Sequence, residues 1–518
     1  MPTRLIDIGS SQATHVKLVC TANVEIPGVY ATLSHRWGSA NICQLFSASI
    51  TQFQKGILLS DLPKTFLDAF TICQRLGIRY IWIDSLCIVQ DDRQDWLREA
   101  GLMHKVYSSS FLNISASGAF DTSEGLFFDR DQSLLLPTTV NLSRRGGPEI
   151  EYQVLDIAFW KREVSSAPLN HRAWVVQERL LAPRVLHFGR HQLLWECHEM
   201  DVAEQYPNRL PQILQAAASF KGIDPPINGR HRQQLAGLDP DPRLFAYNIW
   251  ERIVEAYTAC QLTKAEDKLI ALSGIAKHMQ PILGNDEYLA GLWRKFLPSQ
   301  LLWTVNHGRQ SNHEPSLRPE VYRAPSWSWA SVDGEISVGA TTENGILVEV
   351  LDAQTTPVTA DPTGQISAGY IVLRGLLKKT KLKMDEFGLE WIMTINNLQA
   401  RKSTGTRHGP TVHIDVPMET LKEDLYIMGF RQWVSEVSQT WQANGLIFQL
   451  IKDGDARGSY RRIGFYSVTD DEFDVHGSLV HDSRGELMSL LRSAVDPEEA
   501  QYPCQAYDSV YKHTIVVL

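Results

Sequence analysis

Short polar runs concentrate the groups with chemical capacity in this chain. Ser34-His35-Arg36-Trp37 puts a base, an anion-binding fork and a stacking surface in four consecutive residues. Asp84 follows the apolar run 79–83, which contains Trp82. A carboxylate at such a strand end can orient a hydroxyl or a histidine, or simply cap the next turn. Cys87, set in Leu86-Cys87-Ile88, reads more readily as an inert buried thiol than as a nucleophile. Glu99 lies three residues after Trp96 and four before Met103, at the border of an apolar helix face. Partial desolvation there raises a carboxyl's pKa and suits acid–base work or stabilisation of an oxocarbenium-like centre. The competing reading of Glu99 is a buried salt bridge to an arginine such as Arg36 or Arg172. Arg172, Trp174, Gln177 and Glu178 form a further cluster, the last three on one helical face, either closing over a ligand or fastening the fold.

The elements that position these residues follow from periodicity. Residues 30–34 read as a strand ending in the Ser34 cluster. A helix follows, with Asp61 as the expected N-cap, Pro63 early, Phe66, Ala69, Phe70, Cys73 and Leu76 at helical spacing, and Gly77 as the stop. Residues 79–83 form a second strand, 94–107 a second helix capped by Asp91-Asp92, and 111–116 a third strand. Strand–helix–strand–helix–strand predicts a parallel sheet with right-handed crossovers. Sites in such sheets gather beyond the carboxyl ends of the strands, which would bring residues 34–37, 84–87 and 115–117 to one rim. The Pro- and Gly-rich stretch 206–243 reads as a linker or long loop, and 244–305 as helical. Strand-like runs at 345–351, 370–373, 425–429, 446–451, 462–467 and 514–518 predict a β-rich last third. The expected domains are 1–205, 206–335 and 336–518, in an α/β chain with a helical middle and a β-rich end.

Composition narrows the function. With 50 Lys+Arg against 59 Asp+Glu the formal charge is −9, which argues against binding of nucleic acid by phosphate neutralisation. The start of the chain lacks the apolar core of a signal peptide, and no run reaches the length of a spanning helix, so a cytoplasmic chain without a membrane partner is expected. Seven cysteines, an odd number without a CxxC pair, read as reduced thiols. His187, His191, Cys197 and His198 with Glu196 and Glu199 hold enough donor atoms for a metal, but strand alternation would separate Cys197 from His198, and no metal is expected. GxGxxG after the first strand, GxSxG and GxxxxGK[ST] are absent. The segment 323–329 is aromatic-rich and reads as core packing before it reads as a pocket wall.

Longer stretches resemble a known family. YATLSHRWG at 30–38, the block LPKTFLDAFTICQRLGIRYIWIDSLCIVQDDRQDWLREAGLMHKVYSSSFLNISA at 62–116 and HRAWVVQERLLAPRVLHFGRHQLLWEC at 171–197 resemble the three signature blocks of the fungal heterokaryon-incompatibility (HET) domain. DKLIALSGIA (267–276), YLAGLW (288–293) and RAPSWSWASVDG (323–334) resemble later parts of long HET proteins. His35 stands where many members of the family have tyrosine. The resemblance implies a TIR-like or flavodoxin-like parallel sheet and a role in non-self recognition and cell death. Some TIR domains cleave NAD at the nicotinamide–ribose bond with a helix-borne glutamate, and Asp95-Trp96-Leu97-Arg98-Glu99 is similar to that Trp-x-x-Glu segment. On this reading Glu99 stabilises the ribosyl centre, Arg36 holds phosphate, Trp37 or Trp82 stacks on a ring, and Ser34 and Asp84 contact ribose. NAD is then a substrate, not a tightly bound cofactor.

Two other classes stay open. The scaffold could serve a pathway enzyme of secondary metabolism that cyclises or isomerises an apolar metabolite by acid–base chemistry, with Glu99, Asp84 and His35 as its groups. Alternatively it is a non-catalytic module whose β-rich region recognises a protein partner or a second copy.

Overall fold

The computed structural model describes residues 1–10, 12–22, 24, 26–38, 42–136, 138–143, 147–214, 221, 242–306, 316–384, 391–395, 398–400, 411–417, 424–434, 441–452, 457–470, 499–508 and 512–518. They fall into two compact units: residues 1–240 with 260–263 and 270–279, and residues 241–259 with 264–269 and 280–518. Most of the expected linker at 206–243 lies outside the described residues.

The first unit is built on β1 (Arg4–Asp7), β2 (His15–Cys20), β3 (Tyr30–Ser34), α1 (Ile50–Lys55), β4 (Ile57–Leu58), α2 (Lys64–Arg75) and β5 (Tyr80–Trp82). It continues with α3 (Asp84–Cys87), α4 (Arg93–Ser108), β6 (Leu112–Ser115), a hairpin of β7 (Thr138–Ser143) and β8 (Glu149–Val154), α5 (Ala173–Leu181), β9 (Arg184–Phe188), β10 (Leu193–Cys197) and β11 (Asp201–Ala203). Nine of these strands form one sheet in the order β11-β10-β9-β6-β3-β5-β1-β2-β4. Its centre, β9-β6-β3-β5, is parallel, and both flanks are antiparallel. Every residue of β3, β5 and β6 is buried, as expected of parallel strands covered on both faces. The predicted strand–helix alternation is therefore present, and the antiparallel flanks are additions that the pattern did not announce.

Local chemistry sets the element ends. Helix α2 buries Phe66, Ala69, Phe70 and Cys73 and stops where Gly77 adopts φ +71°, a left-handed conformation that costs glycine nothing. Asp61 closes a short 3-10 turn instead of capping α2; the residue before the helix is Pro63, whose fixed φ suits a helix entry. Asp92 caps α4 by accepting the backbone N–H groups of Gln94 and Asp95. Among the described residues, no helix is long and apolar enough to cross a membrane.

The second unit carries an eleven-stranded sheet. Its order is Glu349–Pro357, Ile366–Gly375, Lys512–Val517, Ser459–Asp470, Trp441–Leu450, Leu425–Val434, Leu377–Met384, Trp391–Ile395 and Leu398–Ala400. Thr411–Ile414 pairs with Ser459–Asp470, and Ala506–Asp508 with Lys512–Val517. Alternating apolar residues such as Leu425, Ile427, Ile447 and Ile463 meet in one core with Met393 and Tyr466. Trp327 and Trp329 are fully buried in this unit. Their neighbours are Trp303, whose indole donates to the Trp327 carbonyl, and Gly291, whose carbonyl accepts from Trp329, so the aromatic segment is core packing.

Candidate functional site

The carboxyl ends of the parallel strands meet at one edge. Ser34, the last residue of β3, is in register with Ser115 at the end of β6, and Thr32 with Trp82 at the end of β5. From β3 the chain turns to β5 on one side, and from β6 it turns to β9 on the other, the switch point at which open α/β sheets commonly place their ligands.

Asp84, the first residue of α3, organises the near side of that edge. Its Oδ2 accepts from Trp37 Nε1 at 3.0 Å and its Oδ1 from the Ser85 backbone at 2.7 Å. His35 Nε2 lies 3.8 Å from Oδ1. The His35 ring is 2% exposed and edge-on to Phe66, and neither ring nitrogen has a hydrogen-bond partner among the described residues. Burial lowers its pKa to about 4 against the pull of Asp84, so the ring is neutral near pH 7. Arg172 Nη1 donates to the His35 carbonyl, and Arg36 Nη1 to the Pro168 carbonyl at 3.3 Å. Both arginines are half-buried.

Glu178 on α5 is the second acid of this group. Burial raises its carboxyl to about 7, with Asp84 pushing the same way, while the Arg172 charge and the neighbouring Ser34 and Tyr107 hydroxyls pull it down. Tyr107 is buried edge-on to Trp82, and burial plus the charges of Glu178 and Asp84 hold its phenol well above the usual range. Ser34 and Asn113 exchange hydrogen bonds at 3.2 and 3.0 Å. Ser34, His35, Trp37 and Asp84 thus come together, and Arg172 and Glu178 of the separate 172–178 cluster join them, with Tyr107 and Asn113 as members that the sequence did not single out. The signal for Tyr107 was present, since it closes the apolar face of α4.

Glu99 sits in a different network. Its Oε2 accepts from Thr3 Oγ1 at 2.5 Å and its Oε1 faces Arg98 Nε at 3.4 Å, so its arginine is Arg98 and not Arg36 or Arg172. Beside it, Arg4 grips Asp95 with two hydrogen bonds. Cys87 feels both Glu99 and Asp84, and burial pushes its thiol up to about 12. Trp82 is fully buried. Trp174 packs edge-on against Trp96, and Gln177 Oε1 accepts the Gly274 backbone N–H at 2.9 Å, which fastens the helix Ile270–Ile282 where it belongs to the first unit.

A second chain of buried groups runs along the same edge. Ser115 and Ser117 hydroxyls are 2.9 Å apart, Ser117 Oγ is 2.9 Å from His187 Nδ1, and His187 Nε2 is 3.2 Å from Glu196 Oε2. Arg179 grips Glu196 through both oxygens at 2.6 and 2.7 Å. Burial works to raise the Glu196 carboxyl, but Arg179 and His187 hold it well below the usual range. Gly118 makes the turn feasible: its N–H donates to the Phe188 carbonyl, and a Cβ there would meet the Arg190 nitrogen at 2.7 Å. The sequence suggests His187 and Glu196 only as metal donors; of the rest of that set, His191 pairs with Glu163 and Cys197 with the Met200 carbonyl. Among the described residues, no group of three or more His, Cys, Asp or Glu could hold a metal ion.

No curated protein and no solved structure matches the chain. A family model described as heterokaryon incompatibility protein (HET) matches residues 30–178, a span that begins at β3 and closes on Glu178 itself. Over residues 30–178 the chain is therefore similar to the HET family.

Proposed function

We propose that the chain acts in an incompatibility-type cell-death response in the cytoplasm, and that its HET domain cleaves NAD at the nicotinamide–ribose bond with Glu178 as the acting carboxylate. The observation that carries this reading is a buried carboxyl raised to about 7 at the strand edge, beside Asp84 and Arg172. In the reaction the ribose C1′–nitrogen bond breaks and nicotinamide leaves with the electron pair. Ionised Glu178 stabilises the cationic ribosyl carbon and takes a proton from the water whose oxygen then bonds to C1′. Arg36 and Arg172, both half-buried, supply two guanidiniums for the diphosphate, Trp37 a ring surface, and Ser34 and Asp84 partners for ribose hydroxyls. No tightly bound cofactor is needed.

Nicotinamide release from NAD, followed by chromatography of the purified chain, tests this. Glu178→Gln is expected to lower the rate by about 100-fold or more, with the wild-type rate rising as pH increases through about 7. If Glu99→Gln abolishes release while Glu178→Gln does not, the acting acid is Glu99. No release from the wild type favours a second reading, an acid–base cyclase or isomerase. The pairing of a neutral buried histidine with a carboxyl of raised pKa supports that reading too.

A further inference from the structure

The second unit contains a half-open cavity of about 640 Å³, within the range of small-molecule sites. Leu269 and Ile366 are its buried apolar lining, and Pro319, Val321, Tyr322 and Val358 complete the wall. Val321 is 80% exposed and Val358 57%, an apolar mouth that no described part of the chain covers. Two carboxylates, Glu266 and Glu320, also line it. Both residues are exposed, and among the described residues neither carboxylate has an ion pair or hydrogen bond.

The cations that line this cavity or lie behind it, Arg323 and Lys268, have other partners, while Arg318, paired with Asp415, and Arg461 line the adjoining cavity that shares Glu320. Arg323 lines the cavity but is 7% exposed. Its guanidinium donates to the carbonyls of Ala330 and Ala265 and pairs with Asp333 at 2.7 Å. Lys268, buried behind it, donates to the Val332 carbonyl and lies 3.8 Å from Asp333. Burial and the Arg323 charge lower this ammonium to about 7, so it is only partly charged near neutrality. The cavity thus joins an apolar wall to two carboxylates that have no ion pair among the described residues, which suits a ligand with a positive head and a hydrophobic body.

We propose that this cavity binds a lipophilic organic cation, an aromatic or alkyl ammonium ion. Its apolar body lies against Leu269, Ile366 and Tyr322, and its ammonium faces Glu266 and Glu320. The site belongs to the second unit and is independent of the chemistry assigned to the HET domain.

Titration of the full chain with 1-naphthylmethylammonium, followed by the probe's fluorescence, tests the assignment against 1-naphthylacetate, which has a similar body and the opposite charge. The ammonium is expected to bind about tenfold more tightly than the acetate and to weaken as NaCl is raised. The double variant Glu266→Gln/Glu320→Gln, checked for folding by circular dichroism, is expected to lose about fivefold or more of ammonium affinity, and Tyr322→Ala to weaken both probes. Equal or tighter binding of the acetate, unchanged ammonium binding in the double variant, or no saturation below about 10 mM overturns the proposal. Should the double variant not fold, the comparison of probes and the salt dependence on the wild-type chain decide.

Discussion

Two carboxylate clusters lie at one sheet edge of the first unit, both buried, and they settle their charges in opposite ways. Glu196 is gripped by both arms of Arg179 and contacted by His187, and its carboxyl is held far below the ordinary range. Glu178 is raised by burial and by the field of Asp84, with the Ser34 and Tyr107 hydroxyls beside it, while Arg172 directs a hydrogen bond to the His35 carbonyl; its carboxyl rises to about 7. Burial is common to both, so burial does not decide which acid can exchange a proton near neutrality. Partner geometry does: a bidentate guanidinium fixes one charge state, whereas hydroxyls and a neighbouring carboxylate leave both accessible. The Ser117–His187–Glu196 chain has the order of an acyl-transfer triad, yet all three side chains are fully buried and the acid is locked in its ion pair. It is a fastening between β6, β9 and β10.

That contrast can be broken from either side. Arg179→Met leaves Glu196 charged and unmatched, and is expected to cost about 3–5 kcal/mol in urea unfolding. Glu178→Gln is expected to act oppositely. The folded carboxyl is raised to about 7 from an ordinary 4.5, so its ionisation penalises the folded state fully above pH 7 and not at all below about 4.5. The variant should gain on the order of 1–2 kcal/mol at pH 8, with the gain fading by pH 4.5; equal stability at both pH values would place Glu178 with Glu196 as a fixed charge. Ser117→Ala removes one buried hydrogen bond to His187 and should cost about 1 kcal/mol, without changing the pH dependence of nicotinamide release. The smallest effect is spectroscopic: the His35 ring, with its pKa near 4, should show no NMR titration shift between pH 6 and 8.

Much of this edge was legible in the chain. Apolar runs at 79–83 and 111–116, separated by the amphipathic segments of α2 and α4, predicted parallel strands, and the rule for strand ends brought residues 34–37, 84–87 and 115–117 together. Hidden were partners far apart in sequence. The helix face of α4 suggested a desolvated Glu99, and Glu99 is buried, but Thr3, just before β1, occupies its Oε2. Nothing in the local pattern around Trp96 points to Thr3. Likewise the strands Leu377–Met384 and Trp391–Ile395 carry no clear local signal: in the first, Lys378 and Thr380 are buried along with Leu377 and Leu382, which only pairing with Leu425–Val434 explains, and the second is paired to the first.

The sequence alone determined the family blocks, the α/β order of the first region, the β-rich last third and the polar residues of the strand ends, because these depend on side-chain period and short spacing. Only the tertiary structure decided that Glu178 has a raised pKa while Glu196 does not; and that, among the described residues, the His35 ring has no hydrogen-bond partner and Arg323 pairs with Asp333 while Glu266 and Glu320 have no ion pair. A pKa and a free charge are properties of the surrounding field, and that field is assembled from residues that the chain brings together only on folding.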